Sequence, residues 1–175
     1  MNWKQYRWWV SLFVLILTLI VLTGTQEVWK KYALTTPALQ QLKEVDGVKD
    51  ALVENSKQSN TLTIVKITLA NVSNLPKTHQ KIRDILHEIF ENKKYKLIIL
   101  DNRTPELEHF YYAIHYSIQE AISTGKFVDM AAIIEKKAAN TYIISKVIVD
   151  NKFVYVELTK ENHSMYVIIS RLGDI

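Results

Sequence analysis

TYIISKVIVDNKFVYVELTKENHSMYVIIS, residues 141–170, is the stretch that decides the fold. Apolar residues dominate it, with β-branched Val and Ile frequent, and Asp150-Asn151-Lys152 and Lys160-Glu161-Asn162-His163 interrupt it twice. β-branched apolar runs suit a half-buried pleated surface, and short polar breaks between such runs form hairpin turns. The stretch predicts strands over 142–149, 153–158 and 165–170, joined as an antiparallel meander.

Upstream of the meander the period lengthens. Thr104-Pro105-Glu106 is a helix start: the hydroxyl can accept an orphan backbone N–H, and proline presets the first helical φ. Leu107, Phe110, Tyr111, Ile114, Ile118 and Ala121 then form a helical stripe. Gly125 breaks it. Phe127, Met130, Ala131, Ile134 and Ala138 make a second stripe. Residues 102–175 therefore read as an ααβββ subdomain.

Residues 36–101 read as αββαβ. Thr36-Pro37 opens a helix carrying Leu39, Leu42 and Val45, and Asp46-Gly47 ends it. A strand over 48–53, a polar connection over 54–60 and a strand over 61–69 follow. In the second strand the apolar parity shifts from Leu62 and Ile64 to Val65, Ile67 and Leu69. That shift predicts either a bulge or burial of both faces. A helix from Asn74-Leu75-Pro76 carries Ile82, Ile85, Leu86, Ile89 and Phe90, Asn92-Lys93-Lys94 stops it, and 95–100 is a strand. The segment Leu42-Lys43-Glu44-Val45-Asp46-Gly47-Val48, leading into strand, strand, helix and strand, resembles the ring-building modules of membrane secretion and sporulation channels. Those are small αββαβ domains that pack side by side into rings. The resemblance covers residues 36–101 and carries no functional residue across.

Ahead of this domain lies a run without charge or proline, residues 8–22. Its eleven Val, Leu, Ile and Phe residues between Val10 and Leu22 sum to about −3 to −7 kcal/mol on the membrane-insertion scale. Extended to residue 25, it reaches the ~17–25 residues a spanning helix needs. Trp3, Tyr6, Trp8 and Trp9 at one end and Trp29 and Tyr32 at the other suit the two headgroup zones. The expected layout is a basic tail (1–7), a transmembrane anchor (8–25), a neck (26–35) and the two subdomains packed together. The anchor residues are Trp8, Trp9, Leu12, Phe13, Leu15, Ile16, Leu17, Leu19, Ile20, Leu22 and Trp29. No Ala-x-Ala-like site follows the run, so it reads as a retained anchor rather than a cleaved signal. Lys4 and Arg7 before the span, with no acid, place the domain outside the cytoplasm. The expected fold class is α+β: a transmembrane helix, then a mixed domain with mostly antiparallel sheet.

Composition narrows the function. Of 175 residues, 48% are apolar, and the ~145 beyond the anchor suffice for a real core. The net charge is +4, and Lys4 and Arg7 supply two of those charges, which is too balanced for a nucleic-acid partner. There is no cysteine, so disulfides, thiolate metal sites and a lipoprotein anchor are excluded. Asn-x-Ser/Thr triplets at Asn71, Asn102 and Asn162 read as chance in a chain whose Lys-, Ile- and Asn-rich usage looks bacterial.

Candidate chemistry is sparse. His87-Glu88-Ile89-Phe90-Glu91 falls one histidine short of a zincin pair. With Asp84 it reads as a solvated helix face. His109 and His115, six residues apart, point in different directions. With Tyr111, Tyr112 and Tyr116 they could line a cleft. Asp101, Glu106 and Glu108 surround a strand-to-helix turn, where carboxylates complement the helix dipole. Asp101 is the best acid/base candidate. Lys93, Lys94, Lys96, Lys136 and Lys137 read as helix-end caps. No catalytic set, metal site or cofactor emerges. The expected role is a single-pass, extracytoplasmic, non-catalytic interaction or scaffold component of a bacterial envelope assembly. Its partners would be the bilayer through residues 8–25 and another protein or its own copies. The alternatives are a membrane-tethered hydrolase or a small-ligand sensor.

Overall fold

The computed structural model describes residues 9–18, 39–55, 63–90 and 94–173. The chain divides into two compact units, Met1–Gln40 and Gln41–Ile175. In the first, residues 9–18 form a helix. Its large apolar side chains from Trp9 to Leu17 are 42–68% exposed. Thr18 Oγ1 satisfies itself on the Val14 and Leu15 carbonyls. Ten residues rise about 15 Å, half a hydrocarbon core. Among the described residues no helix is long and apolar enough to cross a membrane. Trp8, Leu19, Ile20, Leu22 and Trp29, and the whole neck, lie outside the described residues.

The second unit is α+β with two three-stranded sheets. A helical turn at 39–43 precedes β1 (Val48–Asn55), β2 (Thr63–Leu69), α1 (Leu75–Phe90) and β3 (Tyr95–Leu100). Then come α2 (Pro105–Thr124), α3 (Phe127–Ala138), β4 (Ile144–Val149), β5 (Phe153–Lys160) and β6 (His163–Ser170). The first sheet has the order β1-β2-β3: β1 and β2 are antiparallel, and β3 joins β2 in parallel after the α1 crossover. The second is the expected meander, β4-β5-β6, antiparallel throughout.

Local rules explain the boundaries. Thr104 Oγ1 accepts the Leu107 N–H at 3.3 Å, with proline at the first turn of α2. Gly125 ends α2 at φ 77° and returns its N–H to the Ala121 carbonyl. Gly47 sits at φ 84°, and a Cβ there would meet Val72 Cγ2 at 2.8 Å, so no larger residue fits this turn. Asn74 Oδ1 accepts the Lys77 N–H at the start of α1.

Some expectations shift. The irregularity foreseen in the second strand lies instead in β1, between Val48 and Asp50, while β2 pairs with β3 without interruption. Val65, Ile67 and Leu69 are fully buried and Ile64 half-buried, so β2 has one core face. β4 begins at Ile144 rather than residue 142, and Tyr142 is exposed. β5 and β6 extend to a tight turn at Glu161-Asn162, with Glu161 at φ 54°. Ala131, expected in the α3 stripe, is exposed.

The second sheet is covered by α2 and α3. Leu107, Phe110, Ile114, Ile118, Met130 and Ile134 bury against Val154, Val156, Leu158 and Met165. Val154, Val156 and Leu158 share one face of β5 because strand side chains alternate, and Met165 of β6 lies beside them. The opposite β5 face, Phe153 and Tyr155, meets α1.

Candidate functional site

The two halves of the Gln41–Ile175 unit join through a polar seam whose residues are scattered in the sequence. Asp101, directly after β3, is its centre. Its carboxylate is wholly buried. Oδ1 accepts the Arg103 backbone N–H at 3.2 Å and Arg103 Nε at 2.7 Å. Oδ2 accepts Arg103 Nη2 at 2.8 Å and the Tyr166 backbone N–H of β6 at 2.9 Å. The carboxylate raises the pKa of the Arg103 guanidinium still further. A carboxylate holding four donors, two of them from one guanidinium fork, acts as a clamp. Asn102 extends it: Oδ1 accepts the Ser164 N–H at 2.9 Å, and Nδ2 donates to the Asn162 carbonyl at 2.8 Å. Farther in, the Tyr166 hydroxyl accepts the Val72 N–H at 3.3 Å.

A second cluster lies where α1 meets β5. His79 is buried, with Nδ1 3.4 Å from the Tyr155 hydroxyl. That hydroxyl donates to Asp150 Oδ2 at 3.0 Å. Asp150 Oδ1 also accepts the Lys152 and Phe153 N–H groups, each at 2.7 Å. Burial, helped by the Arg83 charge, lowers the His79 pKa to about 4. Burial, helped by the carboxylate of Asp150, raises that of Tyr155. Desolvation opposes ionisation of Asp150, yet the two N–H groups and the Tyr155 hydroxyl hold its pKa below the usual carboxylate value. The Arg83 guanidinium stacks 5.0 Å over the Phe153 ring.

A cleft of about 290 Å³ opens beside the Asp101 clamp. Leu97 and Ile99 of β3 line one side and Met165, Tyr166, Val167 and Ile168 of β6 the other. Arg103, Glu108, Tyr111 and Tyr112 complete its lining. Burial raises the Tyr111 pKa. Four consecutive β6 residues could not line a pocket over one strand face, since side chains alternate. The cleft therefore runs along the edge of β6.

The remaining expected residues are dispersed. Asp84, His87 and Glu88 are exposed on α1, and Glu91 lies outside the described residues. Among the described residues no group of three or more metal-ligating side chains gathers. His109 is exposed, while His115 Nδ1 lies 3.3 Å from the Tyr111 hydroxyl. Tyr112 reaches the cleft and Tyr116 is 81% exposed. Glu106 pairs with Lys160. Lys137 bonds the Ala113 carbonyl of the neighbouring helix at 2.6 Å rather than capping its own. Lys94, Lys96 and Lys136 are exposed, and Lys93 lies outside the described residues.

Sequence reasoning missed His79, Asp150, Tyr155, Asn102 and Tyr166. One signal existed: Leu75, Thr78, His79, Ile82 and Leu86 are the buried residues of α1, so His79 stands inside the apolar stripe. The seam residues carry no local signature, because their partners are 60 or more positions away. Comparison of the chain with protein-family models, with curated proteins and with solved structures gives no match.

Proposed function

We propose that the protein is a single-pass, membrane-anchored component of a bacterial envelope assembly. Its Gln41–Ile175 unit acts outside the cytoplasm as a non-catalytic interaction module. The observation that carries this reading is the helix at 9–18, which exposes Trp9, Leu12, Phe13, Leu15, Ile16 and Leu17 together. A helix apolar on every side has no stable place in water, and lipid is the solvent that suits it. The sequence stays free of charge and proline to Leu22 and has aromatic residues on both flanks, a length and pattern that suit a span. The best acid/base candidate, Asp101, has its carboxylate taken up by Arg103 and Tyr166, which supports a scaffolding role for the turn that bears it.

Native cysteine is absent, so Asn162→Cys reports sidedness cleanly. An impermeant thiol reagent should label this variant in intact cells. Labelling only after lysis overturns the extracytoplasmic placement. The full chain in detergent should sediment as an oligomer or co-purify with a membrane protein. A strict monomer recovering nothing from solubilised membranes overturns the interaction role.

A further inference from the structure

An unpaired strand edge is a template for another strand unless a bulge, charges or a covering segment guard it. The outer strand β1 has a bulge between Val48 and Asp50 and three charged residues, Lys49, Asp50 and Glu54. β3 lies against β6, and Asp101 and Asn102 take up the Tyr166 and Ser164 N–H groups. β4 has none of these guards. It carries one charge, Lys146, in six residues and no proline, and its register with β5 is unbroken from Ile144 to Val149. Among the described residues β5 is its only strand neighbour. The Asp150 N–H bonds the Phe153 carbonyl, which makes these two a hydrogen-bonded pair. By alternation Ile148, Lys146 and Ile144 turn their backbone groups to β5, and Val149, Val147 and Ser145 turn theirs outward. Ser145 and Val147 also line a groove of about 520 Å³ with Ala131, Ile134, Glu135 and Ala138 of α3.

Resting on the interaction role proposed above, we infer that β4 pairs antiparallel, about a two-fold axis, with β4 of a second copy. Two three-stranded meanders then join into one continuous sheet. Charge selects this occupant and its register. Outward residues must oppose outward residues, so the central registers have their axis at Lys146, Val147 or Ile148. With the axis at Lys146, the two Lys146 ammonium groups meet at the closer, non-hydrogen-bonded position, where like charges repel. With the axis at Val147, Asp150 meets Ile144 of the second copy and Lys146 meets Ile148. With the axis at Ile148, Lys146 meets Asp150 of the second copy on both sides of the axis, and Val147 meets Val149. Lys146 and Asp150 are both exposed and lie about 13 Å apart along the strand, too far to pair within one copy. The carboxylate nearest Lys146 is that of Glu157, at 4.0 Å. A second copy brings the matching charges by symmetry. It also places Val149 beside Val147, on the side of the sheet where the α3 groove lies. Strand addition draws affinity from main-chain bonds and specificity from alternate side chains, and the Ile148 register supplies both.

The test uses the full chain in membranes and in detergent, where the absence of native cysteine makes single cysteines informative. In the Ile148 register the two Ile148 Cα atoms lie about 4.5 Å apart, within disulfide range. Ile148→Cys should therefore give a covalent dimer under mild oxidation, seen on a non-reducing gel. Lys146→Cys should not, and Lys146→Cys mixed with Asp150→Cys should. Val147→Pro removes an outward N–H that β5 does not use, a position where an edge strand tolerates proline. It should weaken the dimer about tenfold in sedimentation while the far-ultraviolet spectrum stays unchanged. The cysteine variants keep the test independent of whether the proline variant folds. Cross-linking of Lys146→Cys as readily as Ile148→Cys overturns the register. A dimer that survives Val147→Pro, or no cross-link at Ile148→Cys, overturns the edge pairing. A chain that fails these tests yet still recovers a membrane partner sinks the pairing and leaves the interaction role intact. A monomer that recovers nothing sinks both.

Discussion

The two faces of the β4-β5-β6 sheet are held by different physics. Toward α2 and α3 the contact is wholly apolar, from Leu107 to Met165. Toward the first half it is polar and specific, built on His79, Tyr155 and Asp150, with Asp101, Asn102 and Tyr166 at the strand edge. The apolar face supplies stability but little address, since hydrophobic attraction has no direction. The polar face sets which residue meets which, because an unmatched buried donor or acceptor is costly. One sheet thus uses one face for strength and the other, with its edge, for register.

Mutation can break that contrast. Ile118→Ala, at a fully buried position in the apolar face, should cost about 2–5 kcal/mol in urea denaturation followed by far-ultraviolet circular dichroism. A loss below about 1 kcal/mol would mean this face is not the main source of strength.

Acid should act on the polar face alone. His79 is kept neutral in the fold, with its pKa lowered to about 4, while the unfolded ring takes up a proton near pH 6.5. Its contribution is fully present above pH 6.5 and is lost as pH falls through about 4. The full loss is on the order of 3 kcal/mol. His79→Phe should flatten the stability profile between those limits, and an unchanged slope would assign it to other groups. The lowered pKa of Asp150 extends the loss to lower pH in the same direction.

Asp101→Asn keeps the size of the clamp but loses its charge. We expect a cost of about 2 kcal/mol together with faster amide exchange at Tyr166, its partner across the seam. Faster exchange confined to the apolar face would contradict the division of labour. The smallest effect belongs to Tyr166→Phe, about 1 kcal/mol, because it removes only the acceptor for the Val72 N–H. Far-ultraviolet spectra should stay unchanged in that variant.

Legibility in the sequence follows the same division. The α2 stripe was readable, and Leu107, Phe110, Ile114, Ile118 and Ala121 are its buried members. The Thr104 cap, the Gly125 stop and the meander turns were readable too, since each depends on residues within one turn of each other. Strand ends slipped by two residues where pairing ran past the apolar run, as at His163 and Lys160. The β1 irregularity was misplaced onto β2 because parity in one strand reports a conflict without saying which partner yields.

By itself, the sequence determined the α+β class, the order of elements from β1 to β6, the apolar stripes, and the uncharged run at residues 8–22. These are short-range properties: periodicity, caps and turn chemistry act over a few residues. Only the tertiary structure decided that Asp101 is a clamp, that His79 is buried against Tyr155, and that β3 and β6 face each other across an open cleft. Each of these depends on groups distant in the chain, brought together by chain reversals whose geometry no local pattern encodes.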